Sequence, residues 1–351
     1  MINNKIFSIS GRVIHDKVPP YVIAELSANH NGSVETAFRL IEEAKKAGAD
    51  AVKLQTYTAD TITLNCNNEE FKIRGGLWDG YTLYDLYQKA HTPWVWHAPL
   101  FDYARKVGIT IFSAPFDNTA VDLLEDLNTP AYKIASFEAV DLALIKYVAS
   151  TNKPMIISTG MAAIDEIEEA IDAAYSGGCK ELAIMHCVSG YPTPPSDCNL
   201  HTIHDLRKRF DVVVGLSDHT LDNTTAITSV ALGASIIEKH FTLDRNGGGP
   251  DDSFSLEPND LAALCHDVHN AWQALGNVDY GRKSSEQDSV KFRRSLYFVK
   301  ALQAGDVITQ DVIKSVRPGF GLSPKYFDAL LGRTVTHDIK EFTAVKWEQI
   351  K

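Results

Sequence analysis

The sequence predicts an α/β protein built as a TIM (β/α)8 barrel followed by a small second domain, and three observations carry that expectation. Eight short apolar runs alternate with helix-length amphipathic segments, the pattern of a closed parallel barrel. Polar and charged residues gather at the carboxyl ends of those runs, which is where such a barrel carries its chemistry. After Leu275 the texture changes to the polar stretch GNVDYGRKSSEQDSVKFRR. An open doubly wound sheet is the competing fold, but no GxGxxG follows the first strand.

In chain order, residues 1–20 alternate weakly around Gly11 and Pro19–Pro20, so a hairpin covering the barrel floor is expected. Residues 21–276 form the barrel. Its strands are read at Val22–Leu26, Ala51–Thr56, Thr110–Ala114, Ala131–Ala135, Met155–Ser158, Leu182–Cys187, Val212–Ser217 and Ser235–His240. The clearest helices are Val34–Ala47, Asn118–Leu127, Ile164–Ala174 and Pro258–Leu275, with Thr224–Leu232 between the last two strands and Asn118 and Asp141 as candidate caps. The connection between the second and third strands is long and holds GGLWDGYTLYDLYQKAHTPWVWH. Its aromatic content predicts a packed helical excursion beside the mouth of the site, an ornamental insertion being the alternative. Residues 277–294 read as a linker. Residues 295–351 hold short β-like pieces and one small helix near Pro324–Leu331, a domain small enough to need support from the barrel or another subunit.

Composition narrows the class. A chain of 351 residues with 44% hydrophobic content can bury a large core, and a net charge of −11 argues against nucleic acid as the partner. The five cysteines, Cys66, Cys179, Cys187, Cys198 and Cys265, form no CxxC, so reduced thiols are expected. No apolar run reaches the roughly 20 residues of a membrane span, and the N-terminus lacks the features of a signal peptide, so a cytoplasmic protein without membrane partners is expected.

Two runs, VVVGLSDHT and SIIEKHFT, form a βαβ unit that places His219 and His240 at adjacent strand ends. Two imidazoles there are either satisfied polar side chains or ligands of a divalent metal. Lys53 in AVKLQT and Lys133 in AYKIAS are cations inside apolar strands. Such burial needs a partner or a ligand, so the pair reads as a cradle for phosphate and carboxylate, or as internal salt bridges to Glu25 or Glu138.

The stretches VIAELSANHNGS, ADAVKLQTY, FSAPFD, AYKIASFE, ISTGM, GYPTPP, VGLSDHT, EKHFT and GPDDSFS resemble the sialic acid synthase family, whose enzymes join phosphoenolpyruvate to an N-acetylated amino sugar. The C-terminal segment, including SVRPGFG, is similar to the antifreeze-like (SAF) domain. AELSANHN and GLWDGYTLYDLYQKAHTPW most resemble the branch of the family that makes pseudaminic acid, which implies 2,4-diacetamido-2,4,6-trideoxy-L-altrose as the sugar; branches making N-acetylneuraminic or legionaminic acid are the alternatives, and a sugar-binding barrel without catalysis is another. The resemblance implies that Lys53, Lys133, Ser136, Ser158 and Ser217 bind phosphoenolpyruvate and that His219 and His240 hold the metal, Mn2+, Mg2+ or Co2+. It implies that Glu25, Gln55, Glu138, Tyr191 and Asp251 hold the sugar, that Glu25 and Glu138 serve the chemistry, and that Arg317 reaches the acyl group from the partner in a domain-swapped homodimer. The implied reaction adds the enol carbon to the sugar aldehyde, then water to C2, and expels phosphate by C–O cleavage. Two departures stand out: Ser189 occupies a position where sialic acid synthases tend to have Asn, and Ala114 one where a hydroxyl residue is common, leaving Ser113 as a candidate phosphate contact.

Overall fold

The structure is a computed structural model that describes residues 7–351; the first six residues of the expected hairpin lie outside the described residues. The chain divides into two compact units, one ending at Gly276 and one spanning Asn277–Lys351.

In the first unit β1 (Phe7–Ile9) and β2 (Arg12–Ile14) pair antiparallel through a two-residue turn. Ser10 and Gly11 both have positive φ, 50° and 80°, the geometry that lets a two-residue turn follow the twist of its strands. Then come β3 (Tyr21–Glu25), α1 (Val34–Ala47), β4 (Ala51–Thr56), α2 (Ala59–Ile62), α3 (Leu83–Ala90), α4 (Trp94–Val107), β5 (Thr110–Pro115), α5 (Asn118–Asp126), β6 (Tyr132–Ile134), α6 (Leu142–Ser150) and β7 (Met155–Ser158). The unit continues with α7 (Ile164–Ser176), β8 (Leu182–Cys187), α8 (His201–Phe210), β9 (Val213–Asp218), α9 (Thr224–Ala231), β10 (Ile236–His240) and α10 (Pro258–Leu275). Strands β3 to β10 close into a parallel barrel in sequence order, β10 pairing with β3.

Local chemistry explains the boundaries. In α1, Ser33 accepts from the Thr36 N–H, Gly48 ends the helix at φ 94°, and Ala37, Leu40, Ile41 and Ala44 bury one face, the i, i+3, i+4, i+7 spacing of an amphipathic helix. Asp141 caps α6 as expected. The cap of α5 is Asp117, not Asn118: the extended Asp117 accepts from the N–H groups of Thr119 and Ala120, and Asn118 is already the first helical residue. Strand β9 runs one residue later than expected, so Asp218 is its last residue.

Strand alternation sorts the side chains into two compartments. Outward residues such as Val22, Leu54, Ile157 and Val214 join the helices in the main core. Inward residues Tyr21, Ile23, Ala51, Phe112, Ile156 and Ile236 fill the barrel, and Phe7, Ile9 and Ile14 of the hairpin pack against them. The hairpin therefore plugs the barrel floor.

The second unit holds the antiparallel pair β11 (Ser295–Phe298) and β12 (Ile313–Val316), then α11 (Phe327–Leu330) preceded by a 3-10 turn at Pro324–Tyr326. The remaining β-like pieces make isolated bridges, Leu302 with Ile339 and Val335 with Ile350 among them. Its core is Leu296, Phe298, Ile308, Ile313, Leu330 and Val345 with their neighbours. Residues 277–294, read as a linker, carry an exposed 3-10 stretch at Ser284–Phe292. Among the described residues no helix is long and apolar enough to cross a membrane.

Gly215 in VGLSDHT faces β10 so closely that an added Cβ would lie 2.5 Å from the Ile236 carbonyl oxygen and 2.8 Å from its Cβ. Gly215→Ala is expected to cost about 1–3 kcal/mol through overpacking of the β9–β10 seam; an unchanged urea midpoint would contradict this.

Candidate active site

Two residues of β3 and β4 meet first. Glu25 and Lys53 are neighbours across the strands, and Lys53 Nζ lies 2.6 Å from Glu25 Oε2. The same ammonium is 3.6 Å from Glu238 Oε1, and Lys133 Nζ is 2.8 Å from Glu238 Oε2. Gln55 donates to Glu25 at 2.9 Å and Ser217 to Glu238 at 3.3 Å. All four charged side chains are buried.

The bridge from Lys53 to Glu25 is thus present, whereas the partner of Lys133 is Glu238 and not Glu138. Reading for strand-end lysines missed Glu238, although a carboxylate inside the apolar run SIIEKH carries the same signal. With a two-residue period it lies one layer below His240 on the inner face. Burial alone would raise Glu238, but Lys133 and Lys53 outweigh it and hold the carboxyl well below the usual range. Burial together with the repulsion of Glu238 leaves Glu25 raised despite Lys53. Burial, reinforced by Lys53, lowers Lys133.

Above this layer stand the histidines. His219 and His240 have ring centroids 5.4 Å apart, and the Tyr191 ring packs on both, at 4.3 and 6.1 Å. His219 Nδ1 is 2.8 Å from the Val188 carbonyl oxygen, to which it donates, and His240 Nδ1 is 3.1 Å from Ser27 Oγ. Those contacts commit Nδ1 of each ring and leave Nε2 as the nitrogen for a metal. Burial, aided by His219 and Lys53, lowers His240 well below its ordinary value, so its imidazole is neutral as a ligand must be. Among the described residues no group of three His, Cys, Asp or Glu is disposed to hold a metal; the donor set fits an ion held by two imidazoles with its other positions open.

A cavity of about 390 Å³ opens over the strand ends, lined there by Gln55, Ser136, Glu138, Tyr191, His240 and Asp251. Ser136 Oγ lies 2.9 Å from Ser189 Oγ. Glu138 Oε2 and Ser158 Oγ are buried without a hydrogen-bond partner, a costly state that a ligand would relieve. Burial pushes Glu138 up to about 7. Arg317 belongs to the second unit, where it is exposed. Ser113 is not in the site: alternation turns it outward while Ala114 faces in, and its hydroxyl is 2.6 Å from Thr56 Oγ1, which in turn meets His97 Nε2 at 2.8 Å.

Other strand-end polar residues are structural. Asn29 donates to the Phe241 carbonyl oxygen and Ser255, and His186 bonds to the Cys198 carbonyl. Lys239, unremarked in EKH, points to the outer face of β10. Its ammonium donates to Asp218 Oδ2 at 2.8 Å and to the carbonyl oxygens of Thr220 and Asp222 at 2.7 and 2.8 Å. It thereby clamps the loop that bears His219.

The paired lysines, the paired imidazoles and the adjoining cavity all lie at the carboxyl face of a closed parallel barrel, the face at which enzymes of this fold carry their chemistry. The NeuB family matches over residues 40–280 and the SAF domain over residues 293–351. The chain belongs to the NeuB family. It is 44% identical to a pseudaminic acid synthase of Campylobacter jejuni, covering 93% of this chain and 95% of that one. It is 36% identical to an N,N'-diacetyllegionaminic acid synthase of the same organism, covering 91% and 97%. Among solved structures, an N-acetylneuraminic acid synthetase from Leptospira borgpetersenii in complex with citrate is similar with a TM-score of 0.73 and 30% identity, over 83% of this chain and 96% of that one.

Two expectations follow. Lys239→Met leaves the buried Asp218 with its hydrogen bonds from Thr220 but without a counter-cation and should cost about 3–5 kcal/mol in urea unfolding, part of which Lys239→Met with Asp218→Asn recovers; an unchanged midpoint for Lys239→Met would refute the clamp. The folded protein keeps the Glu138 proton up to about pH 7, whereas the unfolded chain releases it near the ordinary 4.5. Stability should therefore fall as pH rises from 4.5 through 7, by at most about 1.4 kcal/mol per pH unit. Glu138→Gln should lack that component, and parallel stability profiles for the two proteins would count against the raised carboxyl.

Proposed function

We propose that this chain condenses phosphoenolpyruvate with 2,4-diacetamido-2,4,6-trideoxy-L-altrose and water, giving pseudaminic acid and phosphate. The observation that carries this reading is the stacking of two layers at the barrel mouth: the Lys53 and Lys133 ammonium groups below and a sugar-sized cavity above, with His240 on its wall. The higher identity to the pseudaminic acid synthase than to the legionaminic one supports the choice of sugar.

In this reading Lys53 and Lys133 exchange part of their contact with Glu25 and Glu238 for the phosphate and carboxylate of phosphoenolpyruvate, and balance its charge as it changes. Ser158, whose hydroxyl is unpartnered, together with Ser136 and Ser217 supplies hydrogen bonds to the same anion. Gln55, Tyr191 and Asp251 orient the open-chain sugar. A divalent cation, Mn2+, Mg2+ or Co2+, held through Nε2 of His219 and His240, supplies Lewis-acid polarisation of a carbonyl when bound. The π pair of the phosphoenolpyruvate double bond forms the C–C bond to the sugar's C1 while the aldehyde π bond breaks onto its oxygen, which takes up a proton, leaving C2 cationic. Water adds to C2 and gives up a proton, and the tetrahedral intermediate then forms the C2 carbonyl, losing its remaining hydroxyl proton, as the C–O bond to phosphate breaks. Glu138, half-ionised near neutral pH, can hold or give up a proton at its free Oε2. In a domain-swapped dimer, Arg317 of the second copy would add a planar donor fork at the acyl group.

Mass spectrometry of products from phosphoenolpyruvate carrying 18O in the bridging position tests the reading: the label should leave in phosphate, with pseudaminic acid as co-product. Product formed solely from N-acetylmannosamine or from the legionaminic precursor would overturn the choice of sugar. Lys133→Met should weaken phosphoenolpyruvate binding by about 2–5 kcal/mol, and chelation should abolish turnover until metal is restored.

A further inference from the structure

The wall of the cavity opposite the strand ends comes from the excursion between β4 and β5. Ile62, Ile73, Trp78, Leu83 and Tyr87, joined by Phe116 after β5, line it, and each is only half buried. They present apolar surface to the cavity. The wall is also held in place. Trp78 Nε1 donates to the Pro250 carbonyl oxygen at 3.0 Å, and its ring lies 5.8 Å from Tyr191. Trp94 Nε1 donates to the Tyr57 carbonyl oxygen at 3.2 Å, and the Tyr57 ring meets Tyr87 and Phe116 edge-on at 5.6 and 5.1 Å.

Such a cavity is asymmetric: Gln55, Ser136, Glu138 and Asp251 give hydrogen-bonding groups to its strand-end side, and carbon dominates the other, where the Tyr57 and Tyr87 hydroxyls are the polar exceptions. On the reading given above, C1 of the sugar would lie by His240, which leaves its C4 to C6 end to reach the carbon side. There a hydroxyl would lose its hydrogen bonds to water without replacement, whereas a methyl group would bury apolar area. We propose that this wall selects the far end of the sugar, receiving C6 as a methyl group and the acetyl methyl of the C4 substituent, and discriminating against hexosamines that carry hydroxyls at those carbons. The inference rests on the reading of the site given above and assigns to the excursion the choice among amino sugars.

The test compares kcat/KM for 2,4-diacetamido-2,4,6-trideoxy-L-altrose with two analogues of the same stereochemistry, one bearing a hydroxyl at C6 and one bearing a hydroxyl in place of the C4 acetamido group. The wild type should prefer the first sugar by about 100-fold over either, the range an apolar pocket achieves. Ile73→Asn and Leu83→Asn should each cut that preference about 10-fold, mainly through the KM of the sugar, with the KM of phosphoenolpyruvate unchanged. Ile73→Val, which keeps the surface apolar and guards against a folding artefact, should retain the preference. If the wild type makes product from the trideoxy sugar while both polar variants keep the wild-type ratio, the wall does not select. A wild type that makes no product from that sugar would instead overturn the reading beneath it.

Discussion

Four charges inside the barrel mouth, Lys53, Lys133, Glu25 and Glu238, set the terms for everything around them. Each taken singly would be prohibitive to bury, and the layer persists because the signs balance and the contacts are short, 2.6 and 2.8 Å for the two principal pairs. Removing one member strands the others. Below this layer the barrel can afford only carbon, and Ile23, Ala51, Phe112 and Ile156 supply it. Above it the same strands deliver Gln55 and His240 to the cavity. In the proposed reaction, phosphate and carboxylate groups would take over part of the lysine contacts that the two glutamates now make.

Strand β10 shows how little sequence is needed to serve two masters. Glu238 and His240 point inward to the charge layer and the cavity, while Lys239 between them points outward and fastens the loop from Asp218 to Asp222. The position of His219 thus depends on a cation that never faces the ligand. Because the outer face of the strand abuts the helices, that cation is saturated by an aspartate and two carbonyl oxygens, the arrangement a buried ammonium requires.

Much of this was legible beforehand. Apolar runs at barrel spacing located all eight strands to within a residue, and charges inside apolar runs singled out Lys53 and Lys133. Glu238 and Lys239 carry the same signal, two residues and one residue before His240. Ser113, a candidate phosphate contact only because it stands beside Ala114, is turned away from the cavity by the two-residue period of its strand. The cap of α5 slipped by one residue because Asp and Asn stand side by side and both suit the role. Partners across the barrel, such as Lys133 with Glu238, depend on closure between strands far apart in the chain, which local pattern does not encode. The excursion's aromatic content announced a packed structure, though its apolar face toward the cavity emerged only from the fold.

The hairpin at the barrel floor makes depth the coordinate along which this barrel is organised. Phe7, Ile9 and Ile14 pack under the inward residues, and above them Lys53 lies two residues before Gln55, and Glu238 two before His240, on the same inner faces, so the charge layer sits beneath the cavity. In the reaction proposed above, the anion would be the deeper ligand and the sugar the shallower, and a sugar seated first would stand over the lysines.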